Sequence, residues 1–194
     1  LQLVTSPEAR KAFRIQDEPI ALRERYGLTS IGQCALLARR LVEAGSRFIG
    51  IDHGSWDTHV GNFTSHEKAL VPPTDMALSS LLLDLEERGL LDETLVVMLG
   101  EMGRTPRING NAGRDHWSMC QTVIFAGGGI KPGMVVGASD KTASYPTTTP
   151  CSIQDLLRTV FHLMGVDSDK TYLTPLGRPV PIVNGGKVID ELLA

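Results

Sequence analysis

The sequence predicts an α/β layered domain, because segments with helical periodicity alternate along the chain with short apolar segments typical of strands. A length of 194 residues suits a single domain over 1–194 and is long enough to bury a core. No repeat, low-complexity tract or shift in composition marks a second domain. The fold-class prediction therefore rests on the alternation, the length and the even composition.

Four segments carry helix signals. The first begins with Ser6 as N-cap and a proline at the first helical position, and the second repeats apolar residues at helical spacing before a glycine. The third is predicted as a helix interrupted at Pro72 and Pro73, with its better part running from an N-cap at Thr74 to Arg88. The segments are 6–13, 29–45, 65–90 and 152–165.

Three apolar segments are typical of strands. The strongest signal is ETLVVMLG. Of the other two, RFIGID is followed by a polar turn and CQTVIFAGGG ends in a row of glycines. A further segment, GRPVPIVNGG, predicts an edge strand, because its prolines cannot donate to a central ladder. These segments are, in the same order, 93–100, 47–52, 120–129 and 177–186.

The charge and composition exclude some classes of partner. A net charge of -3 provides no electrostatic reason to expect nucleic acid or an anionic membrane surface. No apolar run is long enough to cross a bilayer. The three cysteines cannot all pair within the chain, and their spacing matches no thiolate zinc motif. The start LQLVTSPEARKAF has no initiator Met and is interpreted as the beginning of a fragment or of a processed chain.

Carboxylate and imidazole side chains follow or precede each of the three apolar strand segments. Ligands in α/β sheets gather outside the carboxyl ends of the strands, so these side chains are candidates for one site. Together they suit zinc, manganese or iron, whereas an all-oxygen set would suit magnesium or calcium. The predicted metal ligands are Asp57, His59, Glu101, Asp115 and His116.

A structural role is the alternative for the same residues. Asp57 suits a turn or a helix cap, and His59 and His116 suit hydrogen-bonded structural positions. Arg104 and Arg114 bracket the charged loop, and a guanidinium grips phosphate or sulfate in a two-pronged way. The alternative role for both arginines is ion pairing with the nearby carboxylates.

Read in order, a set of motifs resembles one known family over nearly the whole chain. The motifs are LLARRLVEAGSRFIGID, WDTH, LLLDLEERGLLDETLVVMLGEMGRTPRING, AGRDHW, FAGGGIKPGMVVGASD and GRPVPI. They are similar to the domain of unknown function 1501 family, a bacterial family often labelled sulfatase-like within the alkaline phosphatase superfamily. The resemblance implies a mostly parallel central sheet flanked by helices, with metal ligands at the strand ends.

The resemblance also implies roles for particular residues. Asp57 and His59 resemble the Asp and His pair that serves one metal, and Glu101 stands where relatives place an acidic ligand. His116 resembles the late histidine that completes the first site, with Asp115 as a further candidate.

Two departures from the superfamily pattern imply an incomplete fold. Relatives such as the sulfatases have Asp-His where this chain has Glu101 and Met102, and Met is a poor ligand for hard ions. Members also carry an N-terminal half with an early metal ligand and the nucleophile, and this chain begins past that half. The chain thus resembles the C-terminal portion of an alkaline-phosphatase-like fold.

The expected function is metal-dependent hydrolysis of phosphate or sulfate esters, with Arg104 or Arg114 stabilising the anion. The implied substrate is a small anionic ester, and the site is completed either by a missing N-terminal segment or by homo-oligomer formation. Resemblance alone points to an exported or periplasmic protein. The alternative is a non-catalytic module that keeps the fold and binds a metal or an anion.

Overall fold

The computed structural model describes residues 6–194, and these residues form two compact units. The first unit contains residues 6–94 and 107–115, and the second contains residues 95–106 and 116–194. The prediction of one domain over 1–194 stays a prediction.

The first unit is helical, and two of its helices begin where the sequence predicts. The Ser6 side chain accepts a hydrogen bond from Ala9 N at 3.0 Å, and the Thr29 side chain accepts one from Gly32 N at 3.3 Å. Both caps satisfy backbone donors that have no partner within the helix. The elements are α1 (Pro7–Ala12), α2 (Ile20–Arg25), α3 (Ser30–Glu43), α4 (Asn62–Ser65), a π-helical turn (His66–Leu70) and α5 (Val71–Glu87).

The start of α5 differs from the prediction. The helix begins at Val71, before Pro72 and Pro73, and not at Thr74. Proline is tolerated in the first turn of a helix, because the N–H groups there need no intrahelical acceptor. The Thr74 hydroxyl does not cap the helix; instead it donates to the Leu70 carbonyl at 2.7 Å.

The core of the first unit lies between α2, α3 and α5. Tyr26 and Leu36 are fully buried there, and they pack in one cluster with Ala35 and Ala77. Arg39, which is only 1% exposed, extends from α3 beside this core. Its charge is matched by three carboxylates at 2.6 to 2.9 Å, which belong to Glu18, Glu43 and Asp84.

The second unit contains antiparallel strands, so the predicted mostly parallel central sheet of an alkaline-phosphatase-like fold is wrong. The first and fourth strands pair directly, with Val97 opposite Phe125. Parallel neighbours need a crossover, usually a helix, and the chain between these two strands forms a hairpin instead. The strands pair β1 (Val96–Met98) with β4 (Ile124–Ala126), β2 (Gly103–Arg104) with β3 (His116–Trp117), β5 (Ala138–Ser139) with β6 (Pro146–Thr148), and β7 (Thr171–Leu173) with β8 (Pro179–Pro181).

The strand predicted at 47–52 is also wrong. Within residues 6–94 and 107–115, the structure assigns no strand, so this segment has no ladder to join. Phe48 is 78% exposed, which shows that its apolar side chain does not enter the core of the first unit. A short apolar run forms a strand only where a partner strand is present to pair with it.

Helix α6 (Ile153–Leu163) confirms the fourth helix prediction and organises the end of the chain. Ser152 and Asp155 form a reciprocal capping box at its start. The Asp155 carboxylate also accepts from Lys187 N at 2.7 Å, and the Thr159 hydroxyl accepts from Ile189 N at 3.0 Å. Helices long and apolar enough to span a bilayer are not found among residues 6–194.

Candidate metal centre

The segment from Trp56 to His59 places alternate side chains on opposite faces. Thr58 is buried and Trp56 is partly buried, whereas Asp57 and His59 reach the surface. Backbone hydrogen bonds link residues two apart, from Thr58 N to Trp56 O at 2.9 Å and from His59 N to Asp57 O at 3.2 Å. Asp57 and His59 therefore share one face, as their spacing predicts.

The His59 ring lies between two carboxylates of the first unit. Its Nδ1 is 2.7 Å from Asp115 Oδ1, and its Nε2 is 3.0 Å from Asp57 Oδ1. An ionised carboxylate only accepts hydrogen bonds, and a neutral imidazole has one N–H. Both contacts are hydrogen bonds only if the ring carries two protons, whereas a ring nitrogen without a proton has a lone pair that can bind a cation.

A loop brings Asp115 to His59. Arg114 N donates to Thr58 O at 3.2 Å, and Asn62 N donates to the carbonyl of Ala112 at 2.9 Å. These bonds pair the backbone of the loop 109–115 with that of the segment leading into α4. The meeting of Asp115 and His59 is thus produced by loop docking rather than by neighbouring strand ends.

Gly113 allows the loop to approach His59 this closely. A Cβ atom at this position would lie 1.9 Å from the His59 carbonyl oxygen and 2.6 Å from Val60 N. Both atoms belong to backbone, which cannot move aside like the end of a flexible side chain. Glycine is therefore required where the two segments meet.

We expect Gly113→Ala to separate the loop from His59 and to lower the free energy of unfolding by more than about 1 kcal/mol. Gly110→Ala is the matched control, because a Cβ atom there meets nothing within 4 Å. Chemical denaturation of both variants measures the difference. Equal stability of the two variants would contradict the close approach.

The other predicted site residues lie on both sides of the boundary between the units. Arg114 belongs to the first unit, and its guanidinium carbon is 5.6 Å from the centre of the Phe63 ring, a cation–π contact. In the second unit, Arg104 of β2 pairs with His116 of β3, and Glu101 is exposed between β1 and β2.

The comparisons with known proteins bear on the family of the chain. A model of the family described as "Protein of unknown function (DUF1501)" matches residues 1–193. The chain belongs to this family. No curated protein and no solved structure matches the chain.

Membership of DUF1501 confirms the family to which the motifs were matched. The family description states no activity, so it leaves the hydrolase, the ligand roles and the partners as predictions. Of the candidate metal ligands of this DUF1501 chain, Asp57 and His59 lie in the first unit and His116 lies in the second. The chain passes from the first unit to the second at the peptide bond between Asp115 and His116.

Sequence reasoning missed Asn109, whose side chain ties the loop to His59. Its amide nitrogen donates to the His59 carbonyl at 3.0 Å and to Asp115 Oδ1 at 3.2 Å. The dipeptide Asn109-Gly110 is a turn signal and could have marked this position. The contact with His59, which is distant in sequence, carries no such signal.

Sequence reasoning also missed an aromatic cluster beneath the surface segment. The Trp56 ring meets the rings of His53 and His66 edge-on, with centroids 5.8 Å and 5.2 Å away. The indole N–H of Trp56 donates to His53 Nδ1 at 3.3 Å. These contacts anchor Trp56 and thereby support the neighbouring Asp57.

Proposed function

We propose that the first unit binds a divalent metal ion through Asp57 and His59; His116 of the second unit stays a predicted ligand. The observation that carries the proposal is the His59 ring, which lies between the carboxylates of Asp57 and Asp115 at 3.0 Å and 2.7 Å. Its side chain is 41% exposed, so an ion from solution reaches it.

The donor types fit a metal ion. Imidazole nitrogen and carboxylate oxygen together suit zinc, manganese or iron better than magnesium or calcium, which favour oxygen alone. A histidine that binds metal through one nitrogen usually donates its other N–H to a carboxylate, which orients the ring. Asp115 occupies that orienting position at Nδ1, and this leaves Nε2 on the side of Asp57.

We further propose that the metal serves the hydrolysis of phosphate or sulfate esters. When bound, a divalent ion supplies Lewis acidity, which polarises an ester oxygen. The chain's own part is to hold His59 in place through Asp115 and to neutralise the anionic ester with Arg114 or Arg104. Glu101 remains a predicted acidic ligand from the second unit.

A non-catalytic metal-binding or anion-binding module is the second candidate. The observation that favours it is exposure, because the side chains of Asp57 and Asp115 are 63% and 53% accessible to solvent. Hydrolytic sites gain most of their electrostatic effect by excluding water. A binding module needs no such exclusion.

Assays with p-nitrophenyl phosphate and p-nitrophenyl sulfate distinguish the two candidates. We expect the zinc-loaded or manganese-loaded protein to release nitrophenol, and we expect a chelator or the His59→Ala change to abolish the release. Binding of metal without turnover of either ester would overturn the hydrolase and favour the module. Turnover that survives both chelation and His59→Ala would contradict the proposed site.

A further inference from the structure

The hairpin of β7 and β8 in the second unit exposes apolar side chains on both of its faces. Tyr172 lies opposite Val180, and Leu173 lies opposite Pro179. Because successive side chains of a strand point to opposite faces, the first pair occupies one face and the second pair occupies the other. Tyr172 is 55% exposed and Leu173 is 73% exposed, so both faces of the hairpin are open to solvent.

The turn of this hairpin holds a leucine at its tip. Leu176 is 96% exposed. Gly177 N donates to the Thr174 carbonyl at 2.8 Å, and Thr174 N donates to the Arg178 carbonyl at 2.9 Å. The Thr174 hydroxyl accepts from Arg178 N at 3.1 Å. Gly177 has a φ of 76°, which glycine adopts without strain. The backbone of the turn therefore keeps Leu176 in its exposed position.

Two prolines make β8 unsuited to pairing with a further strand. Pro179 and Pro181 have no backbone N–H to donate to a ladder. An added strand would meet their carbonyl oxygens but no donor from either residue. The contact surface of the hairpin therefore consists of its apolar side chains rather than of this strand edge.

Basic side chains flank the apolar tip. Lys170 directly precedes β7, and its Nζ lies 5.2 Å from the centre of the Tyr172 ring, a cation–π contact. Arg178 directly precedes β8 and is exposed. The sequence from Lys170 to the end of β8 contains no Asp or Glu, and Asp169 just before it pairs with Arg158. The hairpin thus carries a local positive charge, although the net charge of the whole chain is -3.

We propose that the tip of this hairpin inserts into the interface of a lipid bilayer with anionic headgroups. A protein surface covers one face of a hairpin, whereas lipid surrounds an inserted tip on every side, and here both faces and the tip are apolar. Lys170 and Arg178 then face the lipid phosphates, while their aliphatic stems lie along apolar surface. The ring of Tyr172 suits the level of the headgroups. This inference does not depend on metal binding.

Flotation of the whole 194-residue chain with lipid vesicles tests the inference. Vesicles of phosphatidylcholine alone are compared with vesicles in which phosphatidylglycerol replaces part of it. Leu176→Ser removes the apolar tip and leaves both strands unchanged. Val135→Ser is the matched control, because Val135 is 89% exposed in the same unit but lies outside the hairpin. Lys170→Gln tests the contribution of charge.

We expect wild type and Val135→Ser to float with the anionic vesicles. Leu176→Ser is expected to partition into them at least about 10-fold more weakly, because its tip no longer transfers a leucine side chain out of water. Lys170→Gln is expected to weaken partition into anionic vesicles about 5-fold and to leave partition into neutral vesicles unchanged, since the attraction of one basic residue to an anionic surface is of this size.

Equal flotation of Leu176→Ser and Val135→Ser would overturn the proposal, and so would wild type that stays out of anionic vesicles. Sedimentation velocity without lipid identifies the other occupant. If wild type stays out of the vesicles but forms dimers that Leu176→Ser abolishes, the hairpin contacts a second copy of the chain instead of lipid.

Discussion

Replacing His59 by alanine is expected to weaken zinc binding by more than about 100-fold, because loss of a ligand exceeds the 10-fold to 100-fold cost of losing a partner that only orients one. The imidazole is the centre of the cluster, with Asp57 on one ring nitrogen and Asp115 on the other. His116→Ala is expected to weaken binding as well, through loss of a further ligand. Titration calorimetry with zinc measures both effects.

His162→Ala is the control for this experiment. His162 is an exposed residue of α6 in the second unit, so the variant loses an imidazole without changing the candidate site. We expect it to bind zinc as wild type does. Zinc affinity that is unchanged in His59→Ala and in His116→Ala would contradict the proposed ligand set.

Replacing Asp84 by asparagine is expected to lower the free energy of unfolding by about 3 to 5 kcal/mol, the range for breaking a buried ion pair from one side. The Asp84 side chain is 3% exposed, and its oxygens contact Arg39 Nε at 2.8 Å, Arg88 Nε at 2.8 Å and the Tyr26 hydroxyl at 2.9 Å. Asparagine keeps the shape but presents an amide to some of these donors. Arg39 then stays buried with less compensating charge.

Glu87→Gln on the same helix is the matched control for Asp84→Asn. The Glu87 side chain is 57% exposed and pairs with Arg25 at 3.0 Å. Exposed pairs of this kind contribute no more than about 1 kcal/mol. Urea denaturation compares the two variants, and similar losses of stability in both would show that the buried network does not stabilise the helices.

The same network predicts how stability depends on pH. Burial alone would raise the pKa of Asp84, but hydrogen bonds from Arg88 and Tyr26 and the charge of Arg39 outweigh it and hold that pKa below its ordinary value. The pKa of Glu18 is also lowered: burial opposes the shift, and Arg39 and Arg40 cause it.

Lowered carboxyl pKa values stabilise the folded state above the ordinary pKa of about 4, and this contribution is lost as the pH falls through the lower folded values. We therefore expect unfolding of the wild type to become easier below about pH 4, with a shallower acid dependence in Asp84→Asn.

The starts of the helices are the part of the fold that the sequence predicts best. The starts of α1, α3 and α6 depend on Ser6, Thr29 and Ser152, whose side chains cap donors within three residues. Such signals are local, so a single sequence contains them. The start of α5 differs from the prediction, because Pro72 and Pro73 lie in the first turn of the helix and do not interrupt it.

Strand pairing was not predictable in the same way. The apolar runs at Val96–Met98 and Ile124–Ala126 are strands as predicted, but their direction depends on the chain between them, which forms a hairpin and not a crossover helix. The segment 47–52 has the same apolar character and forms no strand, because the first unit offers it no partner. Apolar character indicates burial or pairing, and tertiary structure selects the partner.

The candidate site was partly predictable. The two-residue spacing of Asp57 and His59 placed them on one face, which the contact at 3.0 Å between their side chains confirms. The approach of Asp115 depends on the loop contacts of Asn109 and Gly113, which join segments far apart in sequence. The roles of Asp57, His59 and Asp115 as metal ligands stay predictions.

The metal content of the purified, unchelated protein, measured by inductively coupled plasma mass spectrometry beside His59→Ala, is the direct test of the proposed metal site. We expect near-stoichiometric zinc, manganese or iron in wild type and loss of that metal in His59→Ala. Wild-type protein without bound metal, also after dialysis against zinc, would contradict metal binding at His59. The contacts of His59 with Asp57 and Asp115 would then be ion pairs of a protonated imidazole.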